Sequence, residues 1–196
     1  QTESYAQISN AQFYLCDIRD ENALARKMEG VDIVFHTAAF KHVILCEQVP
    51  HEAIQTNIKG VDNVIRAAVR AGVSKVIFTS SDKAVKPTNV MGPSKVMGER
   101  LITAANVEFK ESGCVFASTR FGNVLGSRGS VIPIFREQLR KGGPITLTHR
   151  DMTRFIMSIE ESVQLIIDSA QLAKGGEVFV TKMPVIAIKD LAEVMI

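Results

Sequence analysis

Residues 75–99 read KVIFTSSDKAVKPTNVMGPSKVMGE. The run from Lys75 is apolar and β-branched and ends in three hydroxyls, Thr79, Ser80 and Ser81, the pattern of a buried strand that stops at a polar rim. Asp82 and Lys83 follow at once, and Pro87 and Asn89 mark a turn. A helix is expected from Pro93, which suits a first helical position, to about Phe109. Met91 and Lys95 stand four residues apart at its start, so they share a face. Strand, polar rim and helix make the repeating unit of an α/β fold, in which ligands bind beyond the carboxyl ends of the strands. A hydroxyl, an acid, a base and a helical lysine therefore converge at one strand end.

The same alternation recurs on both sides of this stretch. Residues 12–16 alternate apolar and polar about Tyr14 and read as a strand stopping at Asp17, with Asp20 as N-cap of a helix over 21–29 that Gly30 closes. VDIVFHTAA (31–39) reads as a strand buried on both faces, with a small-residue exit that lets a flat ligand lie against backbone or simply packs tightly. Pro50 separates a short element from a long helix that Gly72 ends. Asn57 is polar on the apolar side of that helix, either as a helix-to-loop hydrogen bond or as support for the catalytic loop. After Phe109 come a strand over CVFASTRF, a loop rich in Gly and Arg, a helix over SVIPIFREQLRKGG and a short strand PITLT. Ser158 and Glu161 then form a capping-box pattern for the helix IEESVQLIIDSAQLA, EVFVTK is a last strand, and IKDLAEVMI is amphipathic. Strands alternating with helices predict a parallel sheet with helices on both faces.

The chain has 196 residues, 46% of them hydrophobic and 22% charged, with a net charge of +2. That is enough for a real core in one domain with a small lobe, and gives no bulk charge for nucleic acid. Cys16, Cys46 and Cys114 form no CxxC pair, and the four histidines, His36, His42, His51 and His149, lack ligand spacing, so no metal site is expected. No stretch is apolar enough to span a bilayer, and a cytoplasmic setting, or the cytoplasmic domain of a membrane-anchored parent, is expected. The first residue is not Met, which suits a piece of a longer protein.

The chemistry these groups suggest is redox at an alcohol carbon, with a hydroxyl on the substrate oxygen and an ammonium on a nicotinamide ribose. Redox alone hardly needs Asp82 and Lys83; an elimination does, since one group removes a proton and another protonates the leaving oxygen. Arg128 and Arg154 are suited to clamping a phosphorylated substrate, or else serve in surface ion pairs.

Several stretches in order, CDIRD, VFHTAAFKHV, EAIQTNIKG, SSDKAVKPTN, MGPSK, RFGNVLGSRGSVIP, DMTRF and GGEVFV, resemble the extended short-chain dehydrogenase/reductases. Within these the chain is similar to the UDP-N-acetylglucosamine 4,6-dehydratases of capsular and flagellar polysaccharide biosynthesis. The resemblance implies a Rossmann-like sheet, with a partial dinucleotide-binding domain over 1–125 and a segment over 126–196 that supplies a substrate lobe. It implies tightly bound, recycled NAD or NADP, a UDP-N-acetylglucosamine or related UDP-sugar substrate, and a homo-oligomer. It places Asp17 and Ile18 beside the adenine, and Thr37, Ala38, Ala39, Lys41, Asn57 and Thr79 along the cofactor. Ser81 matches the superfamily serine or threonine, Asp82 and Lys83 the dehydratase acid and base, and Lys95 the superfamily lysine on the nicotinamide ribose. His42, Asn123, Ser127, Arg128, Gly129, Ser130, Val131 and Arg154 fall on the UDP-sugar.

Two departures stand out. Met91 occupies the place of the superfamily tyrosine; a thioether cannot take the C4 hydroxyl proton, which points to the methionine-bearing branch. It leaves the C4 base among Asp82, Lys83 and a water held by Lys95, with Asp82 favoured because a carboxylate can accept that proton and later pass it to the C6 hydroxyl. Nothing matches GxxGxxG, and the resemblance expects that loop and the first strand ahead of residue 1. The rival readings are a nucleotide-sugar 4-epimerase or reductase of the same fold, and a non-catalytic NAD-fold scaffold or regulator.

Overall fold

The computed structural model describes residues 10–127 and 129–196; Arg128 lies outside them. The first helix, α1 (Glu21–Met28), starts where the Asp20 carboxylate accepts from the Ala23 amide at 2.9 Å, which satisfies one otherwise orphaned donor of the first turn. Strand β1 (Ile33–His36) leads to the short helices α2 (Val43–Gln48) and α3 (Pro50–Ile54). A single π turn, Gln55–Lys59, joins α3 to α4 (Gly60–Ala71), which ends on left-handed Gly72. Strand β2 (Lys75–Ser81), a 3-10 turn (Asp82–Ala84) and helix α5 (Met91–Glu108) form the central unit, so α5 starts at Met91, two residues before Pro93.

Strand β3 (Val115–Phe121) is followed by β4 (Asn123–Val124), α6 (Val131–Arg140), β5 (Thr153–Met157) and α7 (Ile159–Leu172). The expected capping box opens α7, with Ser158 and Glu161 bonding each other's main-chain amides. The chain finishes with β6 (Val178–Phe179), β7 (Val185–Ala187) and α8 (Ile188–Met195).

The main sheet is parallel, in the order β1-β2-β3-β6. Alternation along β2 divides the core. Val76 and Phe78 face α1, α4 and α5 with Val61, Ile65, Ile102 and Phe116, while Ile77 faces α7 with Ala117, Ala170 and Ala173. Helices therefore cover both faces, as the alternating pattern predicts. Fully burying a side chain such as Phe78 contributes roughly 1.5–3 kcal/mol. Helix α5 packs closely on β2 because Gly98 lacks a side chain; a Cβ there would sit 2.7 Å from Phe78 Cζ. A second, smaller sheet, β4-β5-β7, pairs β4 parallel and β7 antiparallel to β5. Among the described residues no helix is long and apolar enough to cross a membrane.

Three local expectations are corrected. Residues 12–16 form no strand: Phe13 and Tyr14 are half exposed and Leu15 fully so, no strand among the described residues pairs with them, and Cys16 and Ile18 reach the core. Strand β1 is not buried on both faces: Ile33 and Phe35 remain exposed, and among the described residues it is an edge strand paired to β2. PITLT is not a strand: Gln138 of α6 takes the Thr146 amide at 3.1 Å and donates to its hydroxyl at 2.7 Å, so a side chain replaces the ladder. The strand of that region is β5, in the DMTRF stretch.

Candidate active site

The carboxyl end of β2 carries the cluster foreseen there. The Ser81 hydroxyl donates to Asp82 Oδ1 at 2.9 Å and accepts from the Lys83 amide at 3.3 Å. Lys83 Nζ donates to the same Asp82 oxygen at 3.1 Å and to Asn123 Oδ1 at 3.4 Å. Asp82 is the more enclosed of the pair, its side chain 16% exposed against 35% for Lys83. A 3-10 turn directly after an extended Ser81 folds Asp82 and Lys83 back over the strand end, and the Ser81 side chain caps that turn. Gly92 permits the return of the chain, since a Cβ there would lie 2.8 Å from the Lys83 carbonyl oxygen.

Lys95 is buried one helical turn after Met91. Its ammonium donates to the Thr79 carbonyl at 2.9 Å and lies 4.7 Å from the centre of the Phe78 ring. Burial brings its pKa down to about 8, and the nearby Glu99 carboxylate opposes that shift. Glu99 is itself buried in a two-pronged ion pair with Arg120 of β3, at 2.8 and 2.7 Å. His36, at the end of β1, lies beside Phe78 with its Nε2 unpartnered; burial first, then the Lys95 charge, lowers its pKa to about 4. The Thr79 hydroxyl donates to the His36 carbonyl at 3.2 Å.

Met91 is buried in an apolar cluster with Cys46 and Ala53, edged by Phe40, Val43 and Val90. The π turn directs Asn57 inward, where its amide accepts from the Phe40 amide at 2.8 Å and donates to the Phe40 carbonyl and the Ser94 hydroxyl, each at 2.9 Å. Asn57 therefore ties the loop after β1 to α5, the helix-to-loop bond foreseen. Thr37 and Ala38 are exposed at the end of β1, and Ala39 is half-buried. Asp17 is on the surface, chelated by Arg19, which holds its carboxyl below the usual range. Ile18 packs against the Gly60 backbone, and its carbonyl accepts from Asn63 at 3.1 Å.

A cleft of about 410 Å³ lies beside the second sheet. Asn123, Gly129, Ser130, Val131 and Arg154 of the expected substrate set line it, with Thr146, Thr148 and apolar residues of α6 and α8. Ser127 and His42 do not line it, but His42 meets the backbone of Gly129, where a Cβ would lie 3.3 Å from its Cε1. Lys41, on the same loop as His42, is exposed.

These residues fit the nicotinamide–ribose half of a dinucleotide. A buried ammonium has given one donor to Thr79, and Thr37 and Ala38 open on the same sheet edge. Sequence reasoning passed over Glu99, Arg120 and His36. The spacing of Glu99 four residues after Lys95 was a usable signal; nothing local announces Arg120.

The model of the polysaccharide biosynthesis protein family matches residues 1–196. The chain belongs to this family. It is 54% identical over 183 residues to an uncharacterized membrane protein of Methanocaldococcus jannaschii, covering 93% of this chain and 55% of that one. It is 46% identical over 185 residues to a UDP-glucose 4-epimerase of Rickettsia bellii, covering 94% and 54%. The chain thus spans about half the length of the curated relatives it matches. Among solved structures, Pen from Bacillus thuringiensis superposes with a TM-score of 0.96 at 47% identity, over 100% of this chain and 60% of that one.

Proposed function

We propose that the protein to which this chain belongs removes water from UDP-N-acetylglucosamine, or a close UDP-N-acetylhexosamine, giving a UDP-4-keto-6-deoxy sugar. The observation that carries this reading is the Ser81–Asp82–Lys83 contact at the strand end beside the buried Lys95. An elimination needs a base to remove a proton and an acid to protonate the leaving oxygen, which a lysine and a carboxylate side by side can supply, and Met91 rules out a phenol at its position.

The cofactor, NAD or NADP, when bound supplies the acceptor for the C4 hydrogen and the donor that returns it to C6. Lys95 and the Thr37–Ala39 edge hold its nicotinamide ribose, and Asn57 keeps that edge in place. The Asp17–Ile18 turn lies toward its adenine. Ser81 binds the C4 oxygen, and Asp82 accepts the C4 hydroxyl proton. The resulting ketone acidifies C5, and Lys83 Nζ takes the C5 proton while Asp82 protonates the departing C6 hydroxyl. Lys83 then returns its proton to C5 as C6 is reduced, so water is the net loss. The cycle balances with Lys83 entering as the free amine, its proton given up to solvent, and it leaves Asp82 and Lys83 as the carboxylate and amine they began as.

Residues 126–196 furnish the substrate lobe in this reading. Gly129, Ser130, Val131 and Arg154 line the cleft that takes the UDP group, and the same reading assigns Ser127 and Arg128 to it from the sequence. The unpaired thiols of Cys16, Cys46 and Cys114 suit a reducing, cytoplasmic setting.

The test is mass analysis of the product formed from UDP-N-acetylglucosamine by the full-length protein. Loss of a water supports the dehydratase. A product of unchanged mass with inverted C4 supports the second reading, a 4-epimerase, which the similarity to the Rickettsia enzyme favours.

A further inference from the structure

Asn123 stands at the start of β4, where the main sheet gives way to the smaller one. Its amide is engaged at both ends. Oδ1 accepts from Lys83 Nζ at 3.4 Å, and Nδ2 donates to the Phe155 carbonyl at 2.8 Å. The second bond sets which way the amide faces, so the oxygen is turned to the lysine. Backbone pairing reinforces this, because Asn123 is in register with Ile156, the residue after Phe155.

The preceding Gly122 shows that the approach is built in. A Cβ there would lie 2.6 Å from Met183 Sδ, 3.2 Å from the Phe155 carbonyl oxygen and 3.3 Å from Phe155 Cβ. A side chain at 122 would displace the Met183 thioether and crowd the Phe155 carbonyl that anchors Asn123. The strand that anchors Asn123 also carries Arg154, which lines the 410 Å³ cleft. A lysine free to rotate about four carbon–carbon bonds loses much rotamer entropy when held in one place. Asp82 supplies one fixed acceptor and Asn123 a second from a different sheet.

We propose that Asn123 is a positioning residue: anchored on the Phe155 carbonyl, it holds the Lys83 amine beside Asp82 and links the elimination pair to the strand that lines the substrate cleft. This rests on the dehydratase reading for its catalytic consequence, but the holding of Lys83 is a property of the protein without substrate. A residue that touched only the sugar would act on substrate affinity instead.

The experiment compares the full-length wild type with Asn123→Ala and the near-isosteric Asn123→Asp, each checked for an unchanged melting temperature. Lys83 labelling by an amine-acylating reagent, without substrate, is followed by peptide mass spectrometry, and kcat and KM for UDP-N-acetylglucosamine are measured alongside. Asn123→Ala is expected to label Lys83 about threefold faster and to lower kcat roughly tenfold with KM within about twofold. Asn123→Asp keeps an oxygen for the lysine but cannot donate to the Phe155 carbonyl, so it is expected to label faster than the wild type and more slowly than Asn123→Ala. A raised KM with unchanged kcat, or Lys83 labelling the same in Asn123→Ala as in wild type, overturns the proposal. A wild type that releases no water overturns the dehydratase reading and leaves the labelling comparison to decide the role of Asn123.

Discussion

The ammonium of Lys95 donates to the main-chain oxygen of Thr79 across 2.9 Å, from α5 to the end of β2. That bond holds a cation in a buried place, and burial lowers its pKa to about 8 from 10.5. Activity is expected to fall as pH rises through about 8, when the ammonium proposed to hold the cofactor ribose is lost. Stability moves the other way: between about 8 and 10.5 the unfolded chain binds the proton and the folded one does not, so stability from this group rises with pH. Lys95→Met is expected to lower kcat about 100-fold and to remove that rise. A pH–rate profile and chemical denaturation at a series of pH values check both.

Lys83→Ala and Asp82→Asn are each expected to lower kcat by roughly 10²- to 10⁴-fold, the usual range for a positioned acid or base. The two differ in deuterium oxide, where Lys83→Ala is expected to stop label entering C5. Undiminished water loss by Lys83→Ala would sink the assignment of the base.

Glu99→Ala removes one side of a buried two-pronged pair and leaves the Arg120 guanidinium uncompensated. Breaking such a pair costs about 3–5 kcal/mol when both partners are buried, and the low end is expected because Arg120 retains 26% exposure. Glu99 also holds the Lys95 pKa up, so the alkaline limb of the activity profile is expected to move to lower pH. Urea unfolding and the same pH–rate profile measure the two effects independently.

Gly98→Ala places a methyl group 2.7 Å from Phe78 Cζ and 3.0 Å from Cε1. Overpacking of this kind costs about 1–3 kcal/mol. The loss is expected to shrink in the double variant with Phe78→Leu, and a double-mutant cycle on melting temperatures would show the coupling.

His36 is held neutral, its pKa lowered to about 4 from 6.5. Between those values the unfolded chain binds the proton that the folded one refuses, so stability falls as pH drops from 6.5 towards 4, by about 3 kcal/mol from this group. In His36→Phe that part of the acid loss is expected to disappear. Denaturation of both proteins at pH 7 and pH 4.5 gives the comparison.

The fold was readable where the signal is local. Asp20, Gly72 and the Ser158–Glu161 box end or start helices through bonds within a few residues, and each is found where the sequence puts it. The apolar run from Lys75 needed no partner to be recognised as a strand. Residues 12–16 and PITLT carry strand-like composition but form none, because a strand exists only with a neighbour. One has no paired strand among the described residues and the other is occupied by Gln138. Strand β7 went unforeseen for the same reason, since three residues take their conformation from antiparallel pairing with β5.

For the candidate site, the sequence by itself determined the cast: Ser81, Asp82, Lys83 and Lys95 around one strand end, with methionine at position 91. Their spacing is short, and the geometry of one strand, one turn and one helix brings them together whatever the rest of the chain does. Tertiary structure alone decided what holds them. It turned Met91 into an apolar cluster with Cys46, brought Arg120 of β3 onto Glu99, and brought Asn123 across from the second sheet to Lys83. Those partners are separated by 21 to 45 positions in the chain, and no periodicity encodes a meeting that depends on how two sheets and their helices pack.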